Sequence, residues 1–236
     1  MNILQIKSLI TVQYRKITFT VIILMYFAGT IGLLMPFTQP YFKVLSPFNL
    51  WVSLILLLLF HQDFNKSFVW CSIIIFCSGF IVEVIGVHSG IIFGEYWYGQ
   101  TLGTSILDVP LVIGANWLIL IYCSAVVTQN LAELINKRFR INYITDNTFF
   151  KALLASGMMV CLDYLIEPVA IHLDFWHWTN EQVPLLNFQA WFVIAFILAY
   201  LFLNGKFLKS NLLAPVLLFL QFLFFLSIYS YYLLIE

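Results

Sequence analysis

Seven apolar runs account for most of the chain, at about residues 17–36, 47–60, 68–88, 109–128, 152–170, 187–203 and 211–233. A helix that crosses a bilayer uses about 20 apolar residues, so seven of them leave only short loops in a chain of 236 residues. The chain is 62% hydrophobic and 9% charged, whereas a soluble domain carries about 25% charged residues. Runs of this kind cannot be hidden in a water-facing globule. Inside lipid every backbone N–H and C=O must be satisfied within its own span, which selects helix. The expected fold is therefore all-α: one integral membrane domain over residues 1–236, built as a bundle of seven transmembrane helices. An 18% aromatic content excludes disorder. Zero net charge gives no footprint for nucleic acid, so membrane lipid is the expected surrounding.

The basic residues orient the bundle. With the N-terminus inside, the inner segments carry Lys7, Arg15, Lys16, Lys66, Lys137, Arg138, Arg140, Lys151, Lys206 and Lys209, and the outer segments carry Lys43 alone. One alternation of seven spans satisfies the positive-inside rule at every loop and predicts N-in, C-out. The loop 136–151 is the only sizeable polar stretch, and its basic residues are expected to hold topology. Lys7, Arg15 and Lys16 resemble the head of a signal peptide, but no convincing small-residue cleavage site follows, so an uncleaved first span is expected. The second run is short for a span and is expected to borrow Val44–Pro47 or to tilt little. Pro36, Pro40, Pro47, Pro110 and Pro215 are placed at or near segment ends. Cys71, Cys77, Cys123 and Cys161 lie within apolar runs with no C-x-x-C spacing, and are read as small buried hydrophobes.

Three carboxylates interrupt this pattern. Glu83 lies in the third run, and Asp163 and Glu167 lie in the fifth. Neither run holds a Lys or Arg to neutralise them. Ionisable groups at membrane depth tend to face the bundle interior and to mark function. Asp163 and Glu167 are four apart and share a helix face. Pro168 follows and is expected to kink the helix and free the Tyr164 carbonyl. All three acids fall in the outer half, at one depth, and are expected to converge on one pocket. Two loops lie above them, HSGIIFGEYWYGQTLGTSILDVP and IHLDFWHWTNEQVPLLNFQAW, with no Lys or Arg in either. Loops this aromatic can fold back as a lid, although interfacial Tyr and Trp alone account for part of their composition.

The residue types select among chemistries. Four histidines, His61, His88, His172 and His177, lack the H-x-x-x-H repeats of membrane di-iron enzymes, and their spacing identifies no metal. A diphosphate would need basic residues on the acid-bearing side, where the chain has almost none. Acid catalysis on a hydrocarbon fits better. A carboxyl group in apolar surroundings stays protonated near neutrality and can protonate an alkene to give a tertiary cation. Aromatic faces stabilise cations, and a second, ionised carboxylate can activate water or remove a proton.

The blocks EVIGVHSGIIFGEYWYGQTLGTSILDVPLVIGANW and LDYLIEPVAIHLDFWHWTNEQVPLLNFQAW, about residues 81–117 and 160–191, resemble signature segments of the membrane carotenoid-biosynthesis family typified by CruF-type carotenoid 1,2-hydratases. The resemblance rests on Glu83, the run Gly90, Gly94, Tyr96 and Tyr98, then Val109–Pro110, Trp117, Asp163, Pro168, Trp176, Trp178, Pro184, Asn187 and Trp191. Glu95 and Asp108 have no clear match, and Asp108 is expected to cap the fourth span. The resemblance implies cofactor-free addition of water to the terminal double bond of an acyclic or monocyclic carotenoid, giving a tertiary alcohol in the inner membrane of a bacterium. On this reading Asp163 is the proton donor and Glu167 or Glu83 orients and deprotonates water, with the roles open to permutation. Tyr96, Tyr98, Trp176 and Trp178 shield the cation, and Asn116 and Asn187 place the water. Trp97, Trp117, Trp191 and His88 complete the candidate substrate-binding set. Three rivals share the features: a carotenoid cyclase starting from the same protonation, a proton-coupled transporter, and a pigment-holding subunit without chemistry.

Overall fold

A computed structural model describes residues 3–140, 146–179 and 181–235. Its long helices are α1 (Ile3–Leu34), α2 (Gln39–Leu59), α3 (Lys66–Ser89), α4 (Val112–Phe139), α5 (Thr148–His172), α6 (Leu185–Asn204) and α7 (Leu213–Ile235). Four short strands join them: β1 (Tyr96–Tyr98), β2 (Ser105–Ile106), β3 (Val109–Pro110) and β4 (Trp176–Trp178). Seven helices are long and apolar enough to cross a membrane, and the protein is an all-α polytopic membrane bundle. Its outer surface is apolar as lipid demands: Phe27, Phe48, Trp70, Ile197 and Phe219 all lie exposed.

Local sequence sets the helix ends. The Asn65 side chain accepts from the Phe68 N–H at 3.0 Å and starts α3, and Asn147 accepts from the Phe149 N–H at 2.8 Å and starts α5. Gly90 ends α3 in the left-handed region at φ 64°, a conformation that suits a residue without a Cβ. Pro40 occupies the first turn of α2, where its missing N–H has no helical partner anyway.

Helix α4 is the axis of the bundle. It packs against α2, α3, α5, α6 and α7, and its residues Trp117, Ile119, Leu120, Ile121, Tyr122 and Cys123 are fully buried. Helices α5 and α6 form a close pair through small residues, with Ala152, Ala155, Ala195 and Ala199 inaccessible.

The two ends differ in chemistry. At one end Asn65 Nδ2 donates to the Lys206 carbonyl at 2.7 Å and Lys151 Nζ donates to Gln129 Oε1 at 2.9 Å. There, too, His61 Nδ1 lies 2.7 Å from the Tyr122 hydroxyl, to which Asn211 Nδ2 donates at 2.9 Å. These bonds tie the chain after α2 to α4 and to the α6–α7 connection, and burial depresses the His61 pKa. The opposite end carries all four strands. Antiparallel pairing sets Tyr96 opposite Trp178, Trp97 opposite His177 and Tyr98 opposite Trp176, so the two aromatic loops form one cap.

The structure corrects three local expectations. Cys77 and Cys161 are exposed on the bundle surface, while Cys71 and Cys123 are buried; an apolar run does not reveal which side of its helix meets lipid. Pro47 lies inside α2, because that helix starts at Gln39, well before the apolar run. Asp108 does not cap α4, whose N-cap position is Leu111. Instead Leu107 and Asp108, at φ 52° and 62°, form the tight turn between β2 and β3. Helix α5 carries Pro168 within its span and runs on to His172. Of the polar loop 136–151, residues 141–145 lie outside the described part of the chain.

Candidate active site

Glycines on α3 make room for the first acid. Gly79, Glu83 and Gly86 share one helix face by their spacing. A Cβ at Gly79 would collide with the Trp117 side chain, and a Cβ at Gly86 would press on Phe93 and the Tyr96 hydroxyl. With both absent, three donors close on Glu83, which is only 3% exposed. Tyr96 and Tyr98 donate their hydroxyls to Oε2 at 2.5 and 2.9 Å. Trp117 donates Nε1–H to Oε1 at 3.0 Å.

The second acid is wrapped in the same way from the other strand. Trp176 and Trp178 donate their indole N–H groups to Glu167 Oε2 at 2.9 and 2.8 Å. Asn187, on the first turn of α6, donates Nδ2–H to Glu167 Oε1 at 3.0 Å. The same nitrogen donates to Asp163 Oδ2 at 3.0 Å. Asp163 Oδ1 is buried with no hydrogen-bond partner among the described residues. Alternate residues of β1 thus address Glu83, and alternate residues of β4 address Glu167, as the two-residue period of a strand requires. Burial holds the Tyr96 and Tyr98 phenols well above their ordinary pKa, and the neighbouring Glu83 adds to the effect, so both remain donors.

Main-chain bonds hold the cap down. The Gly99 N–H donates to the Phe175 carbonyl at 2.9 Å and the Thr179 N–H to the Glu95 carbonyl at 3.1 Å. Asp174 accepts from the Gln100 N–H at 3.2 Å and pairs with His177 at 2.8 Å. Burial works to raise the Asp174 pKa, but these two partners outweigh it and hold the carboxyl below its ordinary value.

Glu83 and Glu167 border a chamber of about 20 Å³, whose wall also holds Asn116, Asn187 and a set of rings, Phe93, Tyr96, Tyr98, Trp117, Trp176, Trp178 and Trp191; Asp163 lies behind it, reached through Asn187. Trp117 and Trp191 stack at 4.3 Å between centroids, and Tyr96 lies 5.1 Å from Trp178. A chamber of this size holds about one water, which needs ~10–15 Å³. Asn116 makes no side-chain hydrogen bond with the described residues, so its amide is available to a guest. No Lys or Arg lines the chamber.

The structure brings together Glu83, Glu167, Asn116, Asn187, Tyr96, Tyr98, Trp117, Trp176, Trp178 and Trp191, with Asp163 tied in through Asn187. Two candidates lie elsewhere. Trp97 is 51% exposed and packs on His177 across the outer face of the cap, because its place between Tyr96 and Tyr98 turns it away. His88 Nδ1–H donates to the Val84 carbonyl at 2.8 Å, and the ring pairs with exposed Asp108 at 3.3 Å.

Sequence reasoning missed Phe93 and Ile113 in the chamber wall. It also missed a second cavity of about 320 Å³ beside the first, between α1, α2, α4 and α7. Asn49 and Gln221, uncharged polar residues in mid-run, were the available signal for it. Among the described residues no group of three or more His, Cys, Asp or Glu side chains is placed to hold a metal ion.

No curated protein and no solved structure matches the chain. A comparison with protein families matches residues 39–235 to the family described as carotenoid biosynthesis protein. The match takes in α2 to α7 and both halves of the cap, and the chain belongs to the carotenoid biosynthesis protein family.

Proposed function

We propose that the protein hydrates the terminal C=C bond of an acyclic carotenoid end without a cofactor, giving a tertiary alcohol, in the inner membrane of a bacterium. The observation that carries this reading is the unequal treatment of the three acids. Glu83 and Glu167 each accept three N–H or O–H donors, the surroundings of an ionised carboxylate. Asp163 accepts one and keeps Oδ1 unpartnered, the surroundings of a neutral acid with a proton to give. Two acids held as bases beside one held as a donor form an acid–base set.

On this reading Asp163 gives its proton to the less substituted alkene carbon. The C=C π pair forms the new C–H bond and the positive charge settles on the tertiary carbon. Glu83, Glu167 and the ring faces stabilise that charge in a site with no competing cation. One water, held against Asn116 in the small chamber, adds through oxygen to the tertiary carbon. Its surplus proton passes to Glu167 and returns to Asp163, and the net change is one alkene plus one water to one alcohol.

Expression of the gene in cells that accumulate lycopene or a monocyclic carotenoid tests the proposal. Pigment mass spectrometry should show the mass of one added water for each acyclic end modified. An isomer of unchanged mass would identify a cyclase, and recovery of unaltered pigment would leave a carrier.

A further inference from the structure

The cavity of about 320 Å³ has no role in the chemistry above. Helix α1 packs on α2 and on α7, and α4 backs both, while α2 and α7 barely meet. The space left between these four helices is the cavity. Its wall is apolar and holds no charged residue. Three residues, Ile113, Asn116 and Trp176, line this cavity and the acid chamber alike, so the two are separated by single side chains. Ala28, Leu45 and Phe48 line the cavity while also lying exposed on the bundle surface, so it opens towards lipid between α1 and α2. Among the polar groups in and behind the wall, Tyr26 bonds Ser53 at 3.4 Å and Ser53 donates to Asn49 at 3.2 Å, while Gln221 Oε1 has no partner among the described residues.

We propose that this cavity is the binding site for the isoprenoid hydrocarbon chain that trails the reacting end of the substrate, with the substrate arriving from the bilayer between α1 and α2. The inference rests on the acid chamber acting on the tip of such a chain. Its chemistry follows from the wall. An apolar pocket of roughly 300–1,000 Å³ is the ordinary size of a small-molecule site, and an uncharged wall suits a guest that arrives from lipid. The tip would press on Trp176 and Asn116 to reach the acids, while the rest of the polyene extends through the opening into the membrane.

Gly29 makes the proposal testable. A Cβ there would make only ordinary contacts, with Phe224 at 3.4 Å and Asn49 at 3.9 Å, so a larger side chain can occupy the cavity from α1. Gly29→Leu fills it from that side and Ser46→Phe from α2. The assay compares a long acyclic polyene with a short acyclic isoprenoid bearing the same end group, and follows the pigment retained by detergent-purified Asp163→Asn protein with and without each filler. The expected result is a drop on the order of tenfold in conversion of the long polyene, with the short compound converted as before and retained pigment reduced. Normal conversion and retention of the long polyene by both fillers would overturn the proposal. Retention that is lost in both fillers, in a protein whose native form yields no hydrated product, would uphold this binding site and refute the hydration reading instead.

Discussion

Asn187 donates to Asp163 at 3.0 Å through Oδ2, and the other oxygen of that acid has no partner among the described residues. The same amide nitrogen reaches Glu167, so one neutral side chain from α6 fixes the geometry of two acids from α5. Replacing it with Leu keeps the volume and removes both bonds. Each stranded buried acceptor costs about 1–3 kcal/mol, so Asn187→Leu should lower the detergent melting temperature and abolish product. Thermal unfolding with parallel pigment analysis checks this; an unchanged melting temperature would contradict the assigned bonds.

The cap contributes donors as well as cover. Tyr96→Phe and Trp178→Phe each remove one bond, to Glu83 and Glu167 respectively, and retain most of the ring packing. Losing a hydrogen bond to a charged group is worth about 1.5–3 kcal/mol, which would slow turnover on the order of tenfold to a hundredfold if the bond acts in the transition state. Initial-rate measurements on purified protein check this, and rates equal to the native enzyme would show that the cap only shields the site.

His88 provides the contrast. It lies near Glu83 in sequence, yet it is half exposed and meets Asp108 outside the chamber. A surface pair of this kind contributes about 0–1 kcal/mol. His88→Ala should convert substrate at the native rate in the same assay, and a large loss would place His88 in the reaction.

The basic residues make a separate prediction about the membrane. Lys206 and Lys151 lie at the end opposite the cap, and the positive-inside rule then sets the cap outside. With the four native cysteines replaced, Glu181→Cys should react in intact cells with a membrane-impermeant maleimide, and Ser210→Cys only after lysis. The reverse pattern would invert the topology.

The spans were legible in the sequence because lipid makes apolar length and helix nearly equivalent. The acids were legible for the same reason, since Glu83, Asp163 and Glu167 stand out in any run that cannot solvate them. Side-chain direction was less so. Trp97 sits between two chamber residues and points away from both, a consequence of strand pairing that composition does not carry. His88 is turned out by its position on α3 and held by a partner in the β2–β3 turn. The large cavity was hidden because it is a gap between helices: Gly29, Asn49 and Gln221 border it from three of them, and nothing in their separate contexts brings them together.

In the proposed reaction Asp163 protonates a polyene tip and water captures the cation. Cells producing lycopene and carrying the native gene, grown in isotope-labelled water, should yield a tertiary alcohol with labelled oxygen, and Asp163→Asn should lower that product by about 10²–10⁴-fold while the protein still accumulates in the membrane. Labelled alcohol formed by Asp163→Asn at the native rate would contradict the account.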